Sequence, residues 1–216
     1  MANPSDLPHE SKIYSTFAHF YDRIFTNVFS PRIFRVVKEL NIGPGESVLE
    51  VGIGTGLSLG AYPASCDFLG VDLAPEMLAK AEQKAAAAGL TNARLEVADA
   101  LALPYDDDSF DYVTSFHVVS VVPDARQVVR EMLRVCRPGG TIAIINHFRS
   151  PRPVIAKLVD QVDPLTRKLG WRTTLSVDDI LGDMPLRVEH RYKTSATSLF
   201  TVLVGQVPER SVTATA

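Results

Sequence analysis

The sequence predicts an α/β fold built on a largely parallel sheet, and three observations carry that prediction. The run Ser47–Gly56 (SVLEVGIGTG) passes from apolar residues to three alternate glycines, which is typical of a buried parallel strand entering a tight loop. A second apolar run, Phe68–Val71, ends at Asp72, twenty positions after Gly52. Further short apolar runs alternate with helical patterns, as expected where helices cover a parallel sheet.

The alternate glycines predict a ligand site at the end of the first strand. They lack a Cβ, so the main chain can adopt left-handed conformations and approach a ligand closely. A tight strand-to-helix turn would also explain the glycines alone, but Asp72 lies at the spacing at which an acidic residue meets ribose hydroxyls. The dinucleotide fingerprint needs a glycine where this chain has Leu57, and Glu50 would repel a phosphate. The pattern therefore favours an adenosyl ligand without phosphates.

Residues 1–40 are predicted to form an amphipathic helical cap. Apolar residues recur at helical spacing from Tyr14 through Tyr21 to Val28, and five of the ten phenylalanines lie between positions 17 and 34. Pro31 is expected to begin a second helix that runs to about Leu40, with Arg32, Arg35 and Lys38 on its outer face. The aromatic face either packs on the domain core or also meets lipid, for which such helices are the usual device.

The remaining elements are predicted in alternating order within one domain over residues 41–207. Residues from about 150 to 185 exceed a minimal α/β domain, and their basic, amphipathic segment is expected to form a substrate lid. A flexible tail is expected at 208–216. Strands two to seven are predicted at Phe68–Asp72, Arg94–Ala98, Phe110–Phe116, Thr141–Asn146, Arg187–Lys193 and Leu199–Val207, the last two as an antiparallel hairpin, with helices at about 75–88 and at Asp124–Arg137.

Composition and charge exclude several function classes. Residues 1–148 hold twelve basic and eighteen acidic residues, and residues 149–216 hold ten and seven, for a net charge of −3. This balance argues against nucleic acid as the main partner. Without a long apolar run or a signal-peptide pattern, a cytoplasmic monomer with no transmembrane segment is expected. Cys66 and Cys136 lack metal-ligand spacing, so we expect buried free thiols and no metal.

Four segments in this order resemble the motifs of S-adenosylmethionine-dependent methyltransferases with the Rossmann-like fold: Glu50–Gly56, Val71–Met77, Ala98–Ala100 and Leu133–Gly140. The resemblance covers roughly residues 40–150 and implies a seven-stranded Rossmann-like sheet with S-adenosyl-L-methionine as cofactor and S-adenosyl-L-homocysteine as product. It implies that Asp99 meets the adenine amino group, although a cap or turn role is the alternative. The implied cofactor contacts are Glu50, Gly52, Gly54, Gly56, Asp72, Leu73, Met77, Asp99, Ala100 and His117.

Within that family the chain is most similar to bacterial phosphatidylethanolamine N-methyltransferases of the soluble type. The segments that carry this likeness are Glu50–Leu59 with Tyr62 and Pro63, Val119–Asp124, Asn146–Phe148 with Ser150, and Leu169–Arg172. The similarity implies successive methylation of an ethanolamine headgroup towards choline, by a cytoplasmic protein associated peripherally with the inner face of the membrane.

Methyl transfer from a sulfonium is an in-line displacement, so the protein mainly aligns the two reactants in a dry pocket. An amine acceptor must first lose a proton, and a positioned base assists. His147, after the fifth strand, is the predicted base or substrate contact, with a structural histidine as the alternative. Tyr14 and Tyr21 are predicted to close over the cofactor and orient the acceptor, or else to be core aromatics. Substrate contacts are expected from Asn146, Arg149, Trp171 and Arg172.

Two other functions stay open at this point. A quinone-ring C-methyltransferase of the ubiquinone or menaquinone type, or another small-molecule methyltransferase, would carry much the same cofactor motifs. A lipid-binding protein that retains the cofactor fold is the non-enzymatic alternative. The intact glycine loop and Asp72 count against the latter.

Overall fold

The computed structural model describes residues 29–148, 175–193, 198 and 200–209. The predicted first cap helix, the first part of the lid and the end of the tail lie outside these residues. The same holds for five predicted site residues: Tyr14, Tyr21, Arg149, Trp171 and Arg172.

The described residues form one seven-stranded sheet, which confirms the predicted α/β architecture. Its order is β3-β2-β1-β4-β5-β7-β6. Strands β1 to β5 run parallel, and β7 pairs antiparallel with both β5 and β6. The strands are β1 Ser47–Val51, β2 Asp67–Asp72, β3 Ala93–Val97, β4 Phe110–Phe116, β5 Cys136–His147, β6 Arg187–Tyr192 and β7 Phe200–Gln206.

Helices pack on both faces of the sheet and bury an apolar cluster on each. The helix over residues 29–39 (α1) and α2 (Pro75–Ala87) cover one face. The helix α3 (Ala125–Val135) and the short α4 (Val177–Leu181) cover the other. Pro75 begins α2, and the Asp124 side chain caps α3 by accepting the Gln127 N–H.

Several boundaries differ from the sequence prediction, most of them by one or two residues, and two of the differences have a physical reason. Phe29 and Ser30 are already helical before Pro31, which a proline in the first turn allows. The strand β5 begins at Cys136 rather than at Thr141, because Cys136 pairs with Phe110 before a register shift and Thr141 pairs with Tyr112 after it. The Pro-Gly-Gly between these residues predicts a turn that would separate helix from strand. In the structure it lies within the register shift of β5, where Gly139 has a φ of +76°.

The last part of the predicted lid belongs to the core. Val177 and Ile180 of α4 are buried in the same cluster as Met132 of α3. A reciprocal capping box between Ser176 and Asp179 begins α4. The lid therefore stays a prediction, and only for residues before 175. The helix α4 was not predicted, because the polar Asp178 and Asp179 lie between its buried residues Val177 and Ile180.

The carboxyl ends of the parallel strands meet at one edge. There β1 lies between β2 and β4, so the strand order reverses, and ligands of open α/β sheets bind at such points. Cys66 and Cys136 are free and buried, as predicted. Within the described ranges no three His, Cys, Asp or Glu residues cluster as a metal site would, and no helix there is long and apolar enough to cross a membrane.

Candidate active site

The loop after β1 contains three glycines, two of which are closely packed against neighbouring side chains and one of which borders free space. Gly52, Gly54 and Gly56 all have positive φ, at 78°, 55° and 77°. A Cβ at Gly52 would overlap Val118, and one at Gly56 would lie 2.5 Å from Leu59 Cδ1. A Cβ at Gly54 would meet no atom of the described residues within 4 Å. Gly54 is therefore the glycine at which the main chain faces free space, as close approach by a ligand requires.

Asp72, at the end of β2, is joined to this loop. Its Oδ2 accepts the Gly54 N–H at 2.8 Å, and its Oδ1 accepts the Ala74 N–H at 3.0 Å. Burial raises the pKa of this carboxyl, and the backbone donors oppose the rise. Each carboxylate oxygen can accept a further hydrogen bond, so the group can still receive ribose hydroxyls.

The ends of β2 and β3 present an exposed apolar pair beside acidic groups. Leu73 is 57% exposed and Val97 is 56% exposed, and Val97 is the register partner of Asp72. Asp99 is exposed, and its Oδ1 accepts the Leu101 N–H at 2.9 Å, so it serves as a turn residue with its other oxygen available. Met77 and Ala100, which are also predicted cofactor contacts, are half-buried. An open glycine, a carboxylate and an apolar pair fit the ribose and flat base of an adenosyl group.

Glu50 lies beneath the loop in a buried polar network. It is 2% exposed, and its Oε2 accepts the Tyr62 hydroxyl proton at 2.7 Å, while the Tyr62 oxygen is 2.8 Å from Thr114 Oγ1. Burial raises the pKa of Glu50 to about 7, against the opposing effect of the Tyr62 hydrogen bond. The carboxyl is thus engaged within the protein, and a direct cofactor contact by Glu50 stays a prediction.

His117, the residue after β4, is held in an apolar setting. Its φ is +66°, and its N–H donates to Ile145 O at 2.7 Å, which ties the end of β4 to β5. The ring centroid lies 4.4 Å from that of Phe29 and 4.8 Å from that of Phe200, both edge to face. Neither buried ring nitrogen has a partner among the described residues. Burial, with Arg32 nearby, lowers the pKa of His117 to about 3, so its imidazole is neutral at pH 7.

His147 ends β5 on the other side of the same phenylalanine. Its ring centroid lies 6.2 Å from that of Phe200. Burial and the nearby Lys193 lower the pKa of His147, which favours the neutral imidazole at pH 7. The preceding Asn146 is 0% exposed, accepts a hydrogen bond from Ser120 and donates one to the His147 carbonyl. Asn146 therefore orients this strand end, and its direct contact with substrate stays a prediction.

Sequence reasoning missed Arg32, which it placed on the outer face of the second cap helix. Its guanidinium carbon lies 4.8 Å from the Phe200 ring centroid and 6.0 Å from that of Phe29. The available signal was the spacing of Phe29 and Arg32, because residues three apart share a helix face. We call Arg32, Phe29, His117, His147 and Phe200 the aromatic cluster.

Comparison with known proteins assigns the family. The family described as "Methyltransferase domain" matches residues 49–144. A phosphatidylethanolamine N-methyltransferase of Cereibacter sphaeroides is 36% identical over 199 residues, covering 92% of this chain and 97% of that protein. A demethylmenaquinone methyltransferase of Shouchella clausii is 35% identical over 160 residues, covering 69% of this chain and 68% of that protein.

Solved structures agree on the fold. A SAM-dependent methyltransferase from Aquifex aeolicus superposes with a TM-score of 0.68 at 21% identity, covering 89% of this chain and 97% of that chain. A geranyl diphosphate methyltransferase in complex with SAM gives 0.68 at 16% identity, covering 95% and 93%. With the full-length similarity and a loop that fits an adenosyl group, the chain belongs to the S-adenosylmethionine-dependent methyltransferases, with S-adenosyl-L-methionine as its cofactor.

Proposed function

We propose that this methyltransferase acts on the amine of phosphatidylethanolamine and on its mono- and dimethyl forms, towards phosphatidylcholine. The observation that carries the proposal is the extent of the similarity to the Cereibacter sphaeroides enzyme, which spans 92% of the chain and is not confined to the cofactor motifs. The two imidazoles at the ends of β4 and β5 support it, because an amine acceptor has to give up a proton beside the methyl donor.

S-adenosyl-L-methionine supplies an electrophilic methyl group on a sulfonium, and the sulfur keeps the bonding electron pair when an acceptor nitrogen displaces it. The protein's part is to present that nitrogen with its lone pair free. An alkylammonium ion has a pKa of about 10, so few acceptor molecules are neutral at pH 7. Arg32 and Lys193, the cations that act on the two imidazoles, would lower the pKa of an ammonium bound between them.

His147 is the residue to which we assign proton acceptance. Its lowered pKa keeps the imidazole neutral, with a lone pair available, and its half-buried position leaves a path for the proton to solvent. His117 is a poorer base, because its pKa of about 3 means that it holds a proton only in more acidic solution, and it serves as a neutral wall of the acceptor site. The acceptor nitrogen must lose one proton before each of the three transfers. The same base therefore acts in every round.

The N-terminal segment and the segment before residue 175 are proposed to bring the enzyme to the cytoplasmic face of the membrane as a peripherally bound monomer. Tyr14 and Tyr21 would orient the acceptor, and Arg149, Trp171 and Arg172 would contact the lipid. Phe29, the first described residue, packs on His117, which supports a role for the N-terminal segment at this site.

A quinone-ring C-methyltransferase is the second candidate, favoured by the 35% identity to the Shouchella clausii demethylmenaquinone methyltransferase. A competition assay separates the two. Vesicles that contain equal amounts of phosphatidylethanolamine and a demethylated quinone are incubated with the protein and methyl-labelled cofactor. Label in the phospholipid supports the proposal, and label in the quinone alone would refute it.

A further inference from the structure

His117 has a strained backbone conformation beside the glycine loop. Its φ of +66° lies in the left-handed region, which is unfavourable for a residue that carries a Cβ. Two contacts hold it there. The His117 N–H donates to Ile145 O, and the side chain of the next residue, Val118, fills the space that a Cβ at Gly52 would need. Strain of this kind is concentrated at functional sites, where the surrounding structure directs a side chain to one place.

The His117 ring has aromatic neighbours but no hydrogen bond to any described residue. Phe29 and Phe200 contact it edge to face, with ring centroids at 4.4 Å and 4.8 Å. Both of its ring nitrogens are buried, and neither has a partner within the described ranges. Burial lowers the pKa of His117 to about 3, so at pH 7 one nitrogen carries a proton and the other a free lone pair. Because a buried polar group without a partner is destabilising, these nitrogens point to a partner that comes with a ligand.

The ring also lies within reach of the site assigned to the acceptor amine. His117 and His147 border the same Phe200 ring, with centroids at 4.8 Å and 6.2 Å from it. An amine placed between the two imidazoles can therefore be contacted by both. His147 is assigned to proton acceptance, which leaves the lone pair of His117 for a different contact with the same nitrogen.

We propose that the unprotonated ring nitrogen of His117 accepts a hydrogen bond from an N–H of the neutral acceptor amine and so directs the amine's lone pair towards the methyl group. This inference rests on the proposed function and deepens it. Once His147 has taken the proton of the ammonium, His117 holds the neutral amine. The amine lone pair then forms the new N–C bond while the S–C bond breaks, and the sulfur keeps the electron pair of that bond.

This contact makes His117 specific to the early transfers. A neutral primary amine has two N–H bonds, a monomethylated amine has one, and a dimethylated amine has none. His117 therefore orients the acceptor in the first and second transfers only. In the third transfer the amine offers it no donor, so we expect this transfer to be the slowest and the dimethyl form to accumulate.

Rates on three separate lipids test the inference. Vesicles that contain phosphatidylethanolamine, its monomethyl form or its dimethyl form are each incubated with the protein and S-adenosyl-L-methionine, and mass spectrometry gives the rate of the first methyl addition. In the wild type the dimethyl form should react most slowly. His117→Phe keeps a ring but no ring nitrogen. It should slow the first two lipids about tenfold to a hundredfold and leave the rate on the dimethyl form nearly unchanged. His117→Asn, which keeps an acceptor and tolerates the left-handed backbone, should retain part of the rate on the first two.

His147→Phe is the matched control, because His147 borders the same ring and is assigned to proton acceptance in every transfer. It should slow all three lipids alike. Calorimetric titration with S-adenosylhomocysteine shows that each variant binds the cofactor, and the wild-type rates are informative even where a variant does not fold.

Two results would overturn the role of His117. One is an equal loss on all three lipids in His117→Phe, as a purely structural histidine would give. The other is a wild type that methylates the dimethyl form as fast as the other two. If the wild type transfers no methyl group to any of the three lipids, the proposed function itself is refuted.

Discussion

Asp72 Oδ2 accepts the backbone N–H of Gly54 at 2.8 Å, so the acidic residue that ends β2 also fixes the glycine loop that follows β1. We propose that the same carboxylate also receives the ribose hydroxyls of the cofactor, in which case one side chain serves two tasks.

Replacing Asp72 tests both tasks. Asp72→Ala removes the loop contact and the ribose acceptor, and should reduce the affinity for S-adenosylhomocysteine by about tenfold to a hundredfold, since a hydrogen bond to a charged group contributes roughly 1.5–3 kcal/mol. Asp72→Asn, which keeps one acceptor oxygen, should fall between the alanine variant and the wild type. Calorimetric titration measures the affinity, and vesicle binding should be unaffected. An unchanged affinity in Asp72→Ala would refute the ribose assignment.

Gly54 can be tested against Gly45, which has a similar backbone conformation but lies away from the proposed cofactor site. Both have positive φ, and within the part of the chain that the structure describes a Cβ at either would meet no atom within 4 Å. Gly45 lies before β1, at the opposite edge of the sheet. Alanine at either position should lower the free energy of unfolding by about 1–2 kcal/mol through the left-handed backbone.

The two variants should differ in ligand binding. The methyl group of Gly54→Ala would project into the space assigned to the cofactor and should weaken S-adenosylhomocysteine binding by about tenfold or more. Gly45→Ala should bind normally. Urea unfolding and calorimetry give both quantities, and equal cofactor affinities in the two variants would place the ligand elsewhere.

Glu50 makes the stability of the protein depend on pH in a direction that can be measured. Its pKa is about 7 when folded, above the ordinary value of 4.5, so the folded state holds a proton that the unfolded state has lost between these values. This contribution to stability is complete below pH 4.5 and is lost as pH rises through 7.

Glu50→Gln removes the titration while keeping an acceptor for Tyr62. Relative to the wild type, its free energy of unfolding should therefore increase by about 3 kcal/mol between pH 4.5 and pH 8. Urea unfolding across this range measures the difference between the two proteins, in which the titration of other groups cancels. Parallel pH profiles would show that Glu50 is ionised in the folded protein at neutral pH.

Several parts of this arrangement were accessible from sequence because they depend on local pattern. The apolar runs, the alternate glycines and Asp72 are each encoded within a few neighbouring residues. The aromatic cluster was not, since Arg32 and Phe200 are far apart in the chain and meet only when β7 inserts next to β5. The hydrogen bond between Tyr62 and Glu50 could not be predicted either, because it depends on how the chain between them folds. The helix α4 was too short and too acidic to show a helical period.

The N-terminal segment can be tested by a truncation that spares Phe29. Removing residues 1–28 leaves the contacts of Phe29 with His117 and Phe200. The truncated protein should retain cofactor affinity but adsorb less to vesicles that contain anionic lipid, because its aromatic amphipathic face is gone. Co-sedimentation measures adsorption, with vesicles of neutral lipid as the control. Full adsorption by the truncated protein would contradict the lipid role of this segment.

Methylation of phosphatidylethanolamine is tested most directly by mass spectrometry of the lipids after the purified protein has acted on vesicles containing this phospholipid, with S-adenosyl-L-methionine present. The proposed function predicts phosphatidylethanolamine species heavier by one, two and three methyl groups. Unchanged phospholipid, with cofactor binding confirmed in the same sample, would contradict it and transfer the assignment to a quinone or another small acceptor.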